Sequence, residues 1–289
     1  MSQAPEGLAV IDKPAGWTSH DVVAKLRGIL GTRKVGHAGT LDPSATGVLL
    51  VGVGRATRLM RFLTPLTKIY TGEIVLGVTT STLDADGEVL ETFDMSEVTL
   101  DAARDAARQL TGDILQVPPM VSAIKVDGKR LHELAREGVE IEREARPITV
   151  HRFDLSEVEG EPGVLRAEVE CSSGTYVRSL AADLGALLGG GAHLRSLRRM
   201  AIGSFTVAEA HPIESPVVLS PAEALRDQPK VVVADDVATL IGHGRVLDRS
   251  LLGAAGEGPW AVLDHDGRLL AVYELTDGDR CKPAMVLAT

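Results

Sequence analysis

The sequence predicts an α+β protein built on a mixed sheet, followed by a small β-rich unit. Three observations carry that expectation. Helical and strand-like segments are mingled as far as about residue 220, without the strand–helix–strand alternation of parallel α/β proteins. Of the 289 residues, 44% are hydrophobic and 24% charged, a soluble globular composition with length enough for a sizeable core. From Lys230 onward the apolar segments are only three to five residues long and are cut by Gly and Asp, the pattern of short strands and turns. A boundary is expected near Pro221 to Pro229, giving a main domain over residues 1–226 and a tail over 227–289.

In chain order, Gly7 to Asp12 is short and apolar, a buried strand ending at Lys13-Pro14. Ser19 reads as the N-cap of a helix in which Val22, Val23, Leu26, Ile29 and Leu30 recur at helical spacing until Gly31. Val48 to Val53 is a β-branched strand, Arg55 to Leu63 a short helix ending before Pro65, and Lys68 to Val78 a long alternating strand. Ser81 to Ser96 is acidic and loop-like, with a turn at Asp86-Gly87. A helix follows over Leu100 to Leu110, then a loop at Gln116-Val117-Pro118-Pro119. Ala123 to Val126 leads into a turn at Asp127-Gly128, and Leu131 to Glu137 reads as a helix closed by Gly138. Ile148 to Val158 and Val164 to Cys171 pair across a Gly/Pro turn, and Tyr176 to Leu188 is a helix stopped by Gly189-Gly190-Gly191.

Composition narrows the function classes. Met1 to Gly7 has no basic start and no apolar core, so no secretory signal is read there, and no apolar run is long enough to span a bilayer. Cys171 and Cys281 are far apart and the eight His lack metal-ligand spacing, so neither a disulfide framework nor a metal is expected. The usage fits a reducing, cytoplasmic setting. The net charge of −10 argues at first against a polyanionic partner. Residues 1–75, however, hold nine Lys/Arg against five acids, and residues 76–114 hold nine acids against two Arg, so the charge is segregated. A local basic face can bind phosphate whatever the total.

The stretch with chemical content is Gly36-His37-Ala38-Gly39-Thr40-Leu41-Asp42-Pro43-Ser44-Ala45-Thr46-Gly47. Its Gly and Pro make it a stiff turn that carries one carboxylate beside an imidazole and two hydroxyls. An isolated Asp-Pro ordinarily does no more than open a turn. Here other segments accompany it: Asp12-Lys13-Pro14-Ala15-Gly16 with Ser19-His20, Lys68-Ile69-Tyr70, Ser173-Gly174-Thr175-Tyr176-Val177-Arg178 and Leu197-Arg198-Arg199.

In that order, the motifs resemble the TruB family of tRNA pseudouridine synthases over about residues 7 to 210. The resemblance implies a pseudouridine synthase fold with a mixed, mostly antiparallel central sheet and a PUA-like tail, although the acidic residues of the tail weaken the case for a phosphate grip there. It implies that uridine 55 in the T arm of tRNA is flipped out and isomerised without a cofactor or metal, by a monomer. On this resemblance Asp42 is the nucleophile, forming an adduct at C1′ or C6, Tyr70 stacks on the base and takes its proton, and Arg178 pairs with Asp42 and keeps it ionised. His37, Tyr176, Leu197 and Lys13 line the substrate, while Arg33, Lys34, Lys68, Arg195, Arg198 and Arg199 contact phosphates. The stretch from Gln116 to Lys129 is expected to border the site. Two other readings compete: a tRNA-binding or tRNA-folding protein without turnover, and a glycoside hydrolase pairing Asp42 with Asp12 or Asp183. The scarcity of aromatic residues, 3%, speaks against the hydrolase. A nucleotide-binding enzyme is weaker still, because no P-loop or complete dinucleotide fingerprint is present.

Overall fold

A computed structural model describes residues 5–120, 125–126, 129–130 and 143–287. The Asp127-Gly128 turn and the helix expected over Leu131 to Glu137 lie outside the described residues. Along the chain the strands are β1 (Gly7–Lys13), β2 (Val35–Ala38), β3 (Thr46–Val53), β4 (Lys68–Leu76), β5 (Val78–Thr80), β6 (Val89–Thr92) and β7 (Gly112–Gln116). There follow β8 (Lys125–Val126), β9 (Lys129–Arg130), β10 (Arg146–Glu157), β11 (Val164–Cys171), β12 (Ala192–Ile202), β13 (Phe205–Thr206) and β14 (Val218–Leu219). Among the described residues, a ten-stranded sheet runs β14-β1-β3-β12-β4-β11-β10-β7, with β2 added on β3 and β13 on β12. Its pairings are antiparallel except β12 with β3, where Arg198 faces Thr46 and Arg199 faces Gly47. The sheet is therefore mixed and mostly antiparallel.

That parallel pairing positions the site. Strand β3 begins where the Asp42 loop ends, so β12 runs directly beside the exit of the loop. Gly47 makes the approach possible: its φ is +101°, and a Cβ there would stand 2.2 Å from the carbonyl oxygen of Arg199. On one face of the sheet, Tyr70, Ile74, Leu165 and Val169 pack against Ala103 and Ala106 of the helix Leu100–Gln109 and Leu180 and Leu184 of the helix Val177–Leu187. Leu41 and Ala45 of the loop belong to the same cluster, so the loop is anchored in the core on both sides of Asp42.

The local chemistry departs from expectation in several places. The first helix, Ser19–Ile29, is capped by Thr18 in a reciprocal box with Asp21; the Ser19 hydroxyl is buried and serves the loop instead. Gly54–Leu59 is 3₁₀, and only Met60–Leu63 is α-helical. The long strand from Lys68 breaks at Gly77, φ +84°, and its continuation β5 pairs with β6 inside the stretch expected as loop. Strand β12 lies at the centre of the sheet without having been foreseen as a strand.

From residue 230, β15 (Lys230–Val232), β16 (Leu247–Asp248), β17 (Trp260–Leu263), β18 (Leu269–Thr276) and β19 (Arg280–Val286) form a five-stranded sheet around Trp260 and Tyr273. The helix Asp235–Gly242, absent from the sequence reading, packs on it through Val237 and Ile241. This β-rich part docks on the main sheet. Leu263, Leu269 and Met285 share one buried cluster with Leu8, Leu50 and Phe62. Arg55 donates to the Leu287 carbonyl at 2.8 Å, and Arg61 pairs with Glu274 at 2.9 Å. Among the described residues no helix is long and apolar enough to cross a membrane.

Candidate active site

The loop carrying Asp42 is held through its backbone at almost every residue. Ser19 Oγ accepts the Leu41 N–H at 2.9 Å. The Asp42 carbonyl accepts from the Ala45 N–H at 3.1 Å, and the Pro43 carbonyl from the Gly16 N–H at 2.9 Å. Lys13 Nζ donates to Pro43 O at 3.2 Å, to Trp17 O at 2.7 Å and to Pro14 O at 2.9 Å. Arg199 reaches Gly39 O, Thr40 O and, beyond the loop, Val48 O. With the backbone fixed, the Asp42 side chain projects outward and stays 40% exposed.

Opposite it stands Arg178, in the first turn of the helix Val177–Leu187 and only 4% exposed. Its Nη2 lies 2.9 Å from Asp42 Oδ2, its Nη1 3.4 Å from Asp84 Oδ2, and Nη1 also donates to Thr82 O at 3.1 Å. A cation at a helix N-terminus is opposed by the helix dipole, and two carboxylates offset that here. Burial pushes the Asp42 carboxyl above the ordinary value of 3.8; the Arg178 charge and hydrogen bond and the Lys13 charge pull it down, while Asp84 raises it. Arg178 thus does not hold Asp42 below the usual carboxylate range; it opposes a larger desolvation effect.

Asp84 is the residue that the sequence reading missed. It sits in an acidic run of the solvated kind, and its position depends on remote pairing: Ala85 N–H donates to Leu194 O, and Leu194 N–H to Leu83 O, both at 3.0 Å. The local trace of this is Leu83, a non-glycine residue at φ +64°. Gln116 opens the stretch expected to border the site, but its role is visible only in the fold. Nearly buried at the end of β7, its amide accepts the Tyr176 N–H at 2.8 Å and donates to Tyr176 O at 3.1 Å, fixing the backbone just before Arg178.

Tyr70, on β4, is buried beneath the loop. Desolvation raises its hydroxyl above 10, and the Arg199 guanidinium beside it works in the opposite direction through charge and a hydrogen bond. Leu197 packs at the rim of the same core cluster and lines an open cleft of about 290 Å³ together with Ser44, Thr46, Thr71, Arg166 and Arg198. His37 on β2 is half-buried, meets the exposed His20 edge-to-face at 5.3 Å, and leaves Nδ1 buried without a hydrogen-bond partner among the described residues. Burial first, then the charges of His20 and Arg199, lower the His37 pKa, while a Gly39 backbone hydrogen bond raises it.

The proposed cations divide. Arg33 and Lys34 are exposed on the turn before β2. Lys68 and Arg199, expected to contact phosphates, and Lys13, expected to line the substrate, are all buried in this structure. Lys68 donates to Thr64 O at 2.6 Å and Leu66 O at 2.5 Å, and burial lowers its pKa to about 8, as it does for Lys13. Arg195 is paired with Glu73 at 2.9 Å and with Glu161, and Arg198 is paired with Asp12 at 2.7 Å. The Asp12 side chain is thus committed to Arg198, which removes it as a second hydrolytic carboxylate.

A model of the TruB family pseudouridylate synthase N-terminal domain matches residues 27–177, and one of the tRNA pseudouridylate synthase B C-terminal domain matches residues 178–224. The chain is 49% identical over 276 residues to the tRNA pseudouridine synthase B of Corynebacterium aurimucosum, covering 93% of this chain and 92% of the relative. It is 46% identical over 297 residues to that of an Arthrobacter species, covering 98% and 96%. Among solved structures it superposes on a chain of a Cbf5-Nop10-Gar1 complex with TM-score 0.74 and 26% identity, over 97% of this chain and 84% of that one.

Proposed function

The chain belongs to the TruB family of tRNA pseudouridine synthases, and on that premise we propose that it isomerises uridine 55 of the T arm after flipping the base into the Asp42 cleft. Asp42 is the nucleophile. Its carboxylate captures the uridine as a covalent adduct, the N1–C1′ bond breaks, the freed uracil turns, C5 bonds to C1′, and the bond to Asp42 breaks to release the carboxylate. Tyr70 takes the proton that leaves C5, and N1 gains one, so no group is lost and no oxidant or cofactor enters. Leu197 packs on the base, Tyr176 and His37 border it, and Arg33 and Lys34 meet phosphates. Flipping costs on the order of a few kcal/mol, which backbone contacts of this kind offset.

The observation that carries this reading is the pairing of one outward carboxylate, on a loop fixed through its backbone, with a buried guanidinium. A side chain that merely opened a turn would bond its own backbone; Asp42 faces Arg178 instead. The test is an unmodified tRNA transcript tritiated at uracil C5. Wild type is expected to release label, Asp42→Asn to bind the tRNA and release none, and Tyr70→Phe to bind with most turnover lost. Turnover by Asp42→Asn would remove the nucleophile, and tRNA binding by wild type without release would favour the binding-only protein.

A further inference from the structure

Arg199 ranks among the largest fully buried side chains, at 1% exposure, and among the described residues no carboxylate lies within salt-bridge distance of it. A buried guanidinium is costly unless its donors are satisfied in a fixed geometry. Here the acceptors are carbonyls of the Asp42 loop and of strand β3 just after it. Nε donates to Val48 O at 2.7 Å, Nη2 to Gly39 O at 3.3 Å and Nη1 to Thr40 O at 3.4 Å, so the fork grips the chain both before and after Asp42. In the sheet, Arg199 stands opposite Gly47 on one side and Tyr70 on the other. Its guanidinium also lies beside the Tyr70 hydroxyl.

We propose that Arg199 is the positioning residue of the reaction: one buried guanidinium ties the Asp42 loop to the Tyr70 hydroxyl and sets nucleophile and base in register. The inference rests on the reading of Asp42 as nucleophile and Tyr70 as base. Arg suits the task where Lys does not, because its planar fork places several donors at fixed angles, whereas an ammonium offers one point charge. The titratable groups that feel its charge are Lys13 from β1, His37 from β2, and Lys68 and Tyr70 from β4, while Cys171 from β11 and Asp42 from the loop act on Tyr70. Most are basic or neutral, so Arg199 favours the ionised phenol of Tyr70 at the cost of its cationic neighbours.

The test compares wild type, Arg199→Lys, Arg199→Met and Tyr70→Phe, each confirmed as folded by a cooperative melt. Three quantities are read: tRNA affinity and its salt dependence, the single-turnover rate on C5-tritiated tRNA, and the ring-carbon NMR signal of Cζ-labelled tyrosine against pH. With three Tyr in the chain, the Tyr70 signal is assigned by its loss in Tyr70→Phe. The expected result is unchanged tRNA affinity, a single-turnover rate lower by about 100-fold, and a Tyr70 signal that shifts and ionises at higher pH in Arg199→Met. Arg199→Lys keeps the charge, so it restores part of the Tyr70 ionisation and little of the rate.

A phosphate-contacting Arg199 would instead show weaker tRNA binding with a shallower salt dependence, and that overturns the proposal. A purely structural role would lower the melting temperature and leave the Tyr70 signal and the rate of the folded protein in place, which also overturns it. If Arg199→Met does not fold, Arg199→Lys decides by the same signal. The NMR reading needs no substrate. Full turnover by Tyr70→Phe therefore overturns the base assignment alone, and an unmoved Tyr70 signal overturns the tie alone.

Discussion

Lys13 is an ammonium group enclosed by three carbonyls at 0% exposure, with Asp42 near enough to stabilise its charge but not to bond it. Burial moves its pKa from 10.5 to about 8. The unfolded chain holds the proton up to near 10.5 and the folded chain only to near 8, so the unfolded state binds more protons between those values. Stability contributed by this residue therefore rises with pH across that window, and the cost of burying the charged form is present in full below it. A fall from 10.5 to about 8 corresponds to roughly 3 kcal/mol. Denaturant melts of wild type and Lys13→Met at a series of pH values check this: the difference should move in favour of wild type by about that amount from pH 8 to 10.5. A flat difference would mean that the carbonyl cage holds the proton as tightly as water does.

At the scale of elements, the loop and the strand beside it form one unit. Gly47→Ala places a methyl group against the Arg199 backbone at a positive φ, so β3 and β12 must separate or the loop must shift. The expected result is a loss of about 2 kcal/mol or more in thermal unfolding, with tRNA still bound and turnover lost. The loop and Arg178 were legible in the sequence because they lie in short, contiguous motifs. Strand β12 was not. Its Ala192-His193-Leu194-Arg195-Ser196-Leu197-Arg198-Arg199 run carries four basic side chains, and bulges after Leu194 and Arg199 shift its alternation twice. The burial of Lys13, Lys68 and Arg199 was also hidden, because their partners are main-chain carbonyls, which no residue type announces. Asp84 reads as part of a solvated acidic loop, and the role of Gln116 goes unassigned, for a related reason, since Leu194 and Tyr176 reach them only through the folded sheet.

For the whole molecule, the tail is joined to the main sheet by a shared core and not by a linker. Because Leu263, Leu269 and Met285 complete a cluster begun by Leu8, Leu50 and Phe62, calorimetry should give one cooperative transition for the full chain. A chain ending at residue 226 should melt at a lower temperature, having lost one wall of that cluster. Two separate transitions would show that the docked faces contribute little.

The loop of Asp42 and the side chain that grips it are also separated in time. Thr40 and Arg199 lie 159 residues apart. At roughly 5–20 residues per second, a ribosome needs about 8–30 seconds to travel from one to the other. For most of that interval the emerging chain carries the carboxylate without Arg178 or strand β12, and for all of it without the clamp. A chain cut short before Arg178 therefore carries Asp42 without the guanidinium that pairs with it and without the strand that fixes its loop.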